Sequence, residues 1–361
     1  MEFTMSKERN YGIDLLRIVS MYLVVVLHLL GSADIEAFLP LCSLEYEIIW
    51  LIEMLAFYAV NCYALISGYV YDHSKRQYTS LILLWAQVFF YSVLITMIFF
   101  VCYPNLVSSK MLVASFFPAM TNQYWYFTAY VLLYMLMPAL ALCMEKIPRE
   151  KMKKTLLAGF ILFSVMPTIF GQDIFGTNDG YSALWLGYLF LVGAYIKKYD
   201  AFAGLSTGKS ITIFVICIGG ALGAKFVIEY VSWNYLEVLT YNTSFTKYTS
   251  PNVVIEAVAL LILFSRKKIT GVWRKIVVAL APLSFGVYLV HTHTLVLEKF
   301  MFGKLAWFSQ LPLVGMVVGI LIVAGGIFGI CLLVDYVRLR IFKVMKVKLF
   351  AETINKKIMK N

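Results

Sequence analysis

Long apolar runs, broken by short polar and mostly basic pieces, set the pattern of this chain. A membrane crossing needs about 20 apolar residues, within a range of roughly 17 to 25. Ten segments meet or approach that length: 11–31, 46–71, 79–103, 123–144, 155–171, 181–196, 210–231, 249–264, 276–298 and 311–337. The pattern predicts an all-α integral membrane protein, a bundle of about ten transmembrane helices forming one domain over residues 1–361. Segments 181–196 and 249–264 are short enough to require a thinned or protein-sheltered place in the bilayer. Lys110 to Met120 is too short to cross and is expected to lie at the interface or to re-enter.

Composition excludes a water-soluble fold. Of the 361 residues 61% are hydrophobic and only 14% charged, against about 25% charged in an ordinary soluble domain. Aromatics at 16% suit a protein whose Trp and Tyr form belts at both headgroup levels. The net charge of +11 would point to nucleic acid in a soluble chain, so its distribution decides its meaning. With the N-terminus inside, 25 of the 31 Lys and Arg fall in cytoplasmic pieces. Four (Lys110, Lys247, Lys299, Lys304) fall outside, and Arg17 and Lys225 fall within spans. This alternation places both termini in the cytoplasm and assigns the charge to a lipid surface rather than to nucleic acid. Lys7, Arg9 and the small residues Gly31-Ser32-Ala33 give the first span some look of a cleaved signal peptide. Asp14, Arg17 and His28 interrupt the stretch, however, as a signal core would not allow.

Ionisable residues at membrane depth are costly and tend to mark sites. The first predicted span carries three. Arg17 and His28 are eleven residues apart, about three helical turns and about 16 Å of rise, which sets them on one face. Asp14 lies one turn before Arg17, within pairing reach. The stripe suits a long anionic ligand threaded along the helix. It also has a structural reading, in which Arg17 snorkels to headgroups, Asp14 neutralises it and His28 satisfies an interhelical hydrogen bond. Glu53 and Glu256 lie about two turns inside their outer boundaries. His291 and His293 sit toward the outer end of the ninth span on different faces, and His293 reads as a headgroup-level residue. Lys225 and Glu229 are expected to satisfy each other, and His73 falls in a cytoplasmic loop. Trp125, between Tyr124 and Tyr126, reads as a belt residue or as a platform for a sugar ring. The Gly325-Gly326 and Gly329 cluster reads as close helix packing. No metal-ligand spacing and no phosphate-cradling glycine loop occurs. The six scattered cysteines read as packing residues, with a Cys42–Cys102 disulfide conceivable but without support.

At these residues the chain resembles the acyltransferase-3 family of polytopic membrane enzymes. The resemblance rests on Arg17-IVSMYLVVVL-His28, then LISGYVY (65–71), YWYFTAYVLLYMLMP (124–138), WLGYLFLVGAYI (185–196), SPNVVIEAVALLILF (250–264) and SFGVYLVH (284–291), in the family's order. One departure is that Lys75-Arg76-Gln77 stands where many glycan-acetylating members carry Arg-x-x-Arg ahead of the third span. The resemblance implies transfer of an acyl group, acetyl foremost, from cytosolic acyl-CoA to a hydroxyl or amine of a cell-surface glycan or its lipid-linked precursor. Arg17, with Asp14, would serve the donor phosphates. His28 would act as general base or carry the acyl group, and His291 and Glu256 would orient it or the acceptor. Trp125 and Tyr126 would meet the acceptor. Expected partners are acyl-CoA, the glycan and the lipid bilayer of the cell membrane, with no tightly bound cofactor, no metal and no nucleic acid; self-association is left open. Taken without the resemblance, the same polar stripe would also serve a transporter or flippase for a lipid-linked glycan.

Overall fold

The structure, a computed structural model, describes residues 9–72, 78–237 and 243–358; His73 and Lys75-Arg76-Gln77 lie outside them. Among the described residues the chain is helical and contains no strand. Its helices are α1 (Tyr11–Ala33), α2 (Leu44–Val70), α3 (Tyr78–Cys102), α4 (Ser109–Ser115), α5 (Trp125–Lys146), α6 (Arg149–Phe160), α7 (Met166–Phe170) and α8 (Ala183–Tyr199). The second half adds α9 (Thr207–Tyr235), α10 (Pro251–Ser265), α11 (Gly271–Leu280), α12 (Ser284–His291), α13 (Thr294–Phe300), α14 (Leu313–Val344) and α15 (Val347–Ile358). Eight stretches are long and apolar enough to cross a membrane: α1, α2, α3, α5, Arg149–Phe170, α9, Gly271–His291 and α14. The predicted spans 181–196 and 249–264 form α8 and α10, of 17 and 15 residues. At 1.5 Å per residue both fall short of a hydrocarbon core of about 30 Å. Both lie inside the bundle against α2, where protein rather than lipid surrounds much of their length.

Local chemistry starts and stops these helices. Asn10 caps α1 by accepting from Gly12 N and Ile13 N, and Ser43, Ser182 and Ser206 cap α2, α8 and α9 in the same way. Such a cap is worth about 1 kcal/mol. Polar ends gather by contact at one end of the bundle. Arg274 donates to Tyr11 Oη, Lys198 to Met144 O and Arg266 to Phe202 O, and Arg149 lies over Tyr199. We refer to this as the basic end.

Helices α1 and α2 run through two hydrophobic cores. One joins the outer part of α1 to α3 and α12–α14, the other joins its first turns to α5, α8 and α10. Close approach depends on isolated glycines. A Cβ on Gly68 would lie 1.9 Å from Phe190 O, one on Gly193 2.0 Å from Leu65 O, and one on Gly12 1.9 Å from Phe264 O. Gly325, Gly326 and Gly329 do not act this way: a Cβ on any of them meets nothing within 4 Å, which corrects the packing role expected from their clustering. Their stretch of α14 also exposes Leu321, Ile322 and Ile330, an apolar face suited to lipid.

The predicted ninth span is not one helix. A turn of 3-10 helix at Ala281–Leu283 separates α11 from α12, because Pro282 supplies no N–H to the ladder. A second break follows at Thr292, and His293 then caps α13 with its own ring, Nδ1 accepting from Leu295 N at 3.3 Å. Residues 103–124 do not cross. Ser92, about 15 Å down α3 from Cys102, donates to Ser115 O at 2.7 Å, so α4 and the turn after it fold back into the bundle beside α3.

Candidate active site

Arg17 and His28 line neighbouring cavities that share part of their walls. Asp14, buried, accepts from Arg17 Nη1 at 2.7 Å and from Arg9 Nε at 2.5 Å. One carboxylate thus faces two guanidiniums, and a net positive charge remains at the basic end of α1. The Arg17 side chain stays 32% exposed and lines a cavity of about 260 Å³ with Tyr63, Ser67, Tyr126, Tyr130 and Tyr134. Tyr126, Tyr130 and Tyr134 recur every four residues, which sets three phenols along one face of α5.

His28 lines a second, smaller cavity of about 40 Å³, which shares Tyr63, Tyr126 and Phe285 with the first. Its ring is held in one tautomer. His28 Nδ1 lies 2.9 Å from Val24 O and 3.1 Å from His291 Nε2, and His291 Nδ1 lies 2.6 Å from Val287 O. A carbonyl can only accept, so both Nδ1 atoms carry protons. His291 Nε2 is then the acceptor for His28 Nδ1–H, and His28 Nε2 is left with its lone pair. The break of the chain beyond α12 leaves His291 at the helix end, with its ring 5.1 Å from that of His28.

Aromatic residues close the other side. Trp125 and Tyr248 stack with centroids 5.9 Å apart and planes at 23°, and Tyr181 packs 4.4 Å from Trp125. Trp125, Tyr126, Tyr248 and Tyr288 all line the His28 cavity. Buried Asn61 fixes the platform by donating to Tyr248 O at 2.8 Å while accepting from Trp185 Nε1 at 3.0 Å. Burial, reinforced by the neighbouring Tyr181 phenol, holds the Tyr248 phenol well above its usual range and keeps it neutral. The buried hydroxyl of Tyr126 has no protein partner, a free donor facing the path between the two cavities.

Other expected residues lie elsewhere. Glu256 is fully buried on α10 and makes its one hydrogen bond with Asn252 at 3.4 Å. Its Oε2 has no partner, and it does not reach His28 or His291. His293 is 1% exposed and packed among protein groups. Its Nε2 lies 2.8 Å from the Gln123 side-chain amide and 3.4 Å from Thr96 Oγ1, tying α13 to the segment that delivers Tyr124, Trp125 and Tyr126. Lys225 and Glu229 pair at 2.5 Å, as their spacing indicated. Cys42, Glu47 and Glu229 bring their ligand atoms within 4.8 Å of one another, a group that no sequence spacing announces, and the Lys225 ammonium supplies its positive charge. All six cysteines are free.

Sequence reasoning missed one polar cluster beside the site. Asp335, fully buried on α14, accepts from Gln87 Nε2 (2.9 Å), Tyr91 Oη (2.8 Å) and both arms of Arg338 (3.0 and 2.6 Å). It presses against α12 where a Cβ on Gly286 would lie 1.9 Å from its Oδ1. Asp335 and Arg338 at i, i+3 were the available signal, hidden among the basic residues of the tail.

Long apolar helices enclosing cavities lined by Arg17 and His28 define a multi-pass membrane protein. The chain matches the acyltransferase-3 domain over residues 10–336, nearly its whole length, and belongs to that family; it is a membrane acyltransferase. No curated protein and no solved structure matches it.

Proposed function

We propose that this acyltransferase takes a short acyl group, acetyl foremost, from acyl-CoA at the cytosolic face and delivers it to a hydroxyl or amine of a cell-surface glycan or its lipid-linked precursor. The observation that carries this reading is the free Nε2 of His28, in a cavity that shares Tyr63, Tyr126 and Phe285 with the cavity lined by Arg17. The basic end takes the cytosolic side by the positive-inside rule. Arg17 holds donor phosphate by guanidinium hydrogen bonds, and the thin pantetheine arm follows the tyrosine-lined cavity toward His28. The small volume beside His28 favours a short acyl group. Trp125, Tyr181 and Tyr248 offer a stacking surface to a sugar ring from the opposite side.

The chemistry follows from the tautomer. His28 Nε2 removes the proton of the acceptor hydroxyl as its oxygen attacks the thioester carbonyl. The C–O bond forms, the C–S bond breaks, and the thiolate of CoA leaves with the proton returned by His28. His291 accepts from Nδ1–H throughout and so steadies the imidazolium that forms between the two proton transfers. The same Nε2 serves the alternative order, in which it takes the acyl group first and passes it on.

The test is transfer of label from radioactive acetyl-CoA to surface glycan by purified protein in lipid nanodiscs. We expect labelled glycan with the wild-type protein and a raised KM for acetyl-CoA in Arg17→Ala. Movement of unmodified lipid-linked glycan across vesicles lacking CoA esters, without any labelling, would replace this reading with that of a transporter.

A further inference from the structure

Arg17 belongs to a second opening as well. A cleft of about 960 Å³ lies at the basic end, and it shares Arg17, Ser80, Leu84 and Ala281 with the tyrosine-lined cavity. Its cations besides Arg17 come from the end of α14 and the start of α15: Arg338, Arg340, Lys343 and Lys348. No acidic side chain lines it among the described residues. Arg338 is fixed in place, since Nε and Nη2 are committed to Asp335, which Gln87 and Tyr91 hold in turn. That arrangement sets the rotamer of a guanidinium that lines the cleft. Arg340 is steadied by the Tyr336 hydroxyl, while Arg340, Lys343 and Lys348 remain exposed at the mouth.

We propose that this cleft docks the phosphate-bearing nucleotide end of the CoA thioester, with Arg17 at the passage where the arm enters the bundle. The proposal rests on the acyl-CoA reading above and adds to it the residues that hold the donor outside the membrane. Physical cost sorts the parts of such a donor. Phosphate charges cannot follow the arm into a low-dielectric bundle without losing several kcal/mol of hydration, so they must be met at the mouth. Arg340 and Lys343 have no carboxylate partner among the described residues, Lys348 has Glu352 only at 3.8 Å, and guanidinium groups match phosphate oxygens in pairs. Phospholipid headgroups carry the same phosphate chemistry. The four residues that the cleft shares with the tyrosine-lined cavity, Arg17 among them, favour the donor, since a headgroup needs no neighbouring cavity for an arm.

The experiment measures binding of CoA and of phosphatidylglycerol to the full-length protein, wild type and Arg340→Ala/Lys343→Ala/Lys348→Ala, in nanodiscs of phosphatidylcholine with and without phosphatidylglycerol. We expect the triple variant to bind CoA at least about tenfold more weakly, and added salt to weaken the wild type more steeply than the variant. Turnover of S-acetylpantetheine, which carries no phosphate, stays unchanged and shows that the chamber is intact. A single reversal, Lys343→Glu, gives the same direction of change with minimal disturbance. Wild-type CoA affinity in both variants overturns the proposal, and so does a loss confined to phosphatidylglycerol binding, which assigns the cleft to lipid. Failure of the wild type itself to bind CoA overturns the acyl-CoA reading together with this one, whereas a wild type that binds beside unaffected variants overturns this one alone.

Discussion

Two groups of ionisable side chains lie at depth in this bundle, and they are built to opposite ends. Around Lys225 the buried cation is answered locally. Its ammonium is fully buried, 2.5 Å from Glu229 and 3.8 Å from Glu47, with Tyr46 and Trp50 rings at 4.3 and 4.6 Å. Tyr46 adds a 3.4 Å hydrogen bond to Glu229. This cluster fastens α9, whose remaining surface is mostly apolar and outward, to α2. Around Arg17 and His28 the same residue types leave capacity unused: a guanidinium open to a cavity, an imidazole nitrogen without a proton and a phenol without a partner. Charge at membrane depth therefore does not by itself mark a site here. Capacity left open toward a cavity is what sets the Arg17 and His28 group apart.

The largest effect expected from this contrast is on chemistry. His28→Ala removes the proposed base and should lower acyl transfer by about 10²- to 10⁴-fold. Thermal stability should remain near that of the wild type, because His28 is only part-buried and its loss strands no buried charge. Glycan labelling and unfolding in detergent measured on one preparation decide it. Unchanged labelling in the variant would erase the distinction between the two groups.

Lys225→Met should do the reverse. It leaves Glu229 and Glu47 without their cation and should cost about 3 to 5 kcal/mol of stability. The fraction that remains folded should transfer acyl groups normally. Adding Glu229→Gln should recover part of the loss, since the buried charge goes with its partner. If Lys225→Met stayed fully folded but lost transfer, the closed cluster would belong to the working site.

What the sequence revealed of this arrangement follows the range of the interactions. Arg17 and His28 share one helix, so spacing alone placed them on one face, and Lys225 with Glu229 was readable for the same reason. The phenol stripe of Tyr126, Tyr130 and Tyr134 was equally local, but its period was masked by aromatics on every side of that segment. The meeting of His28 with His291 joins positions 263 apart and depends on the breaks at Pro282 and Thr292. Pro282 was a visible signal, while a histidine capping its own helix at position 293 was not. Glu256 turns to Asn252 rather than to either histidine, since depth along a helix says nothing about which neighbour a side chain meets. The packing expected of the α14 glycines failed, since lipid and protein present similar apolar surfaces to a sequence pattern.

The smallest and most discriminating change concerns His291, which acts through His28 and is a positioning residue. His291→Ala removes the acceptor for His28 Nδ1–H but leaves Val24 O to hold the same proton. One hydrogen bond to a group that becomes charged is worth about 1.5 to 3 kcal/mol, so kcat should fall by about 10- to 100-fold. KM for acetyl-CoA should not move, because no donor contact is lost. His291→Gln places an amide oxygen near the position of the lost Nε2 and should restore most of the rate. A purely structural role would predict a different result, with kcat and protein yield falling together in both variants. Equal activity of His291→Ala and wild type would show that Val24 O suffices to orient His28, and that the open group needs one imidazole where two are present.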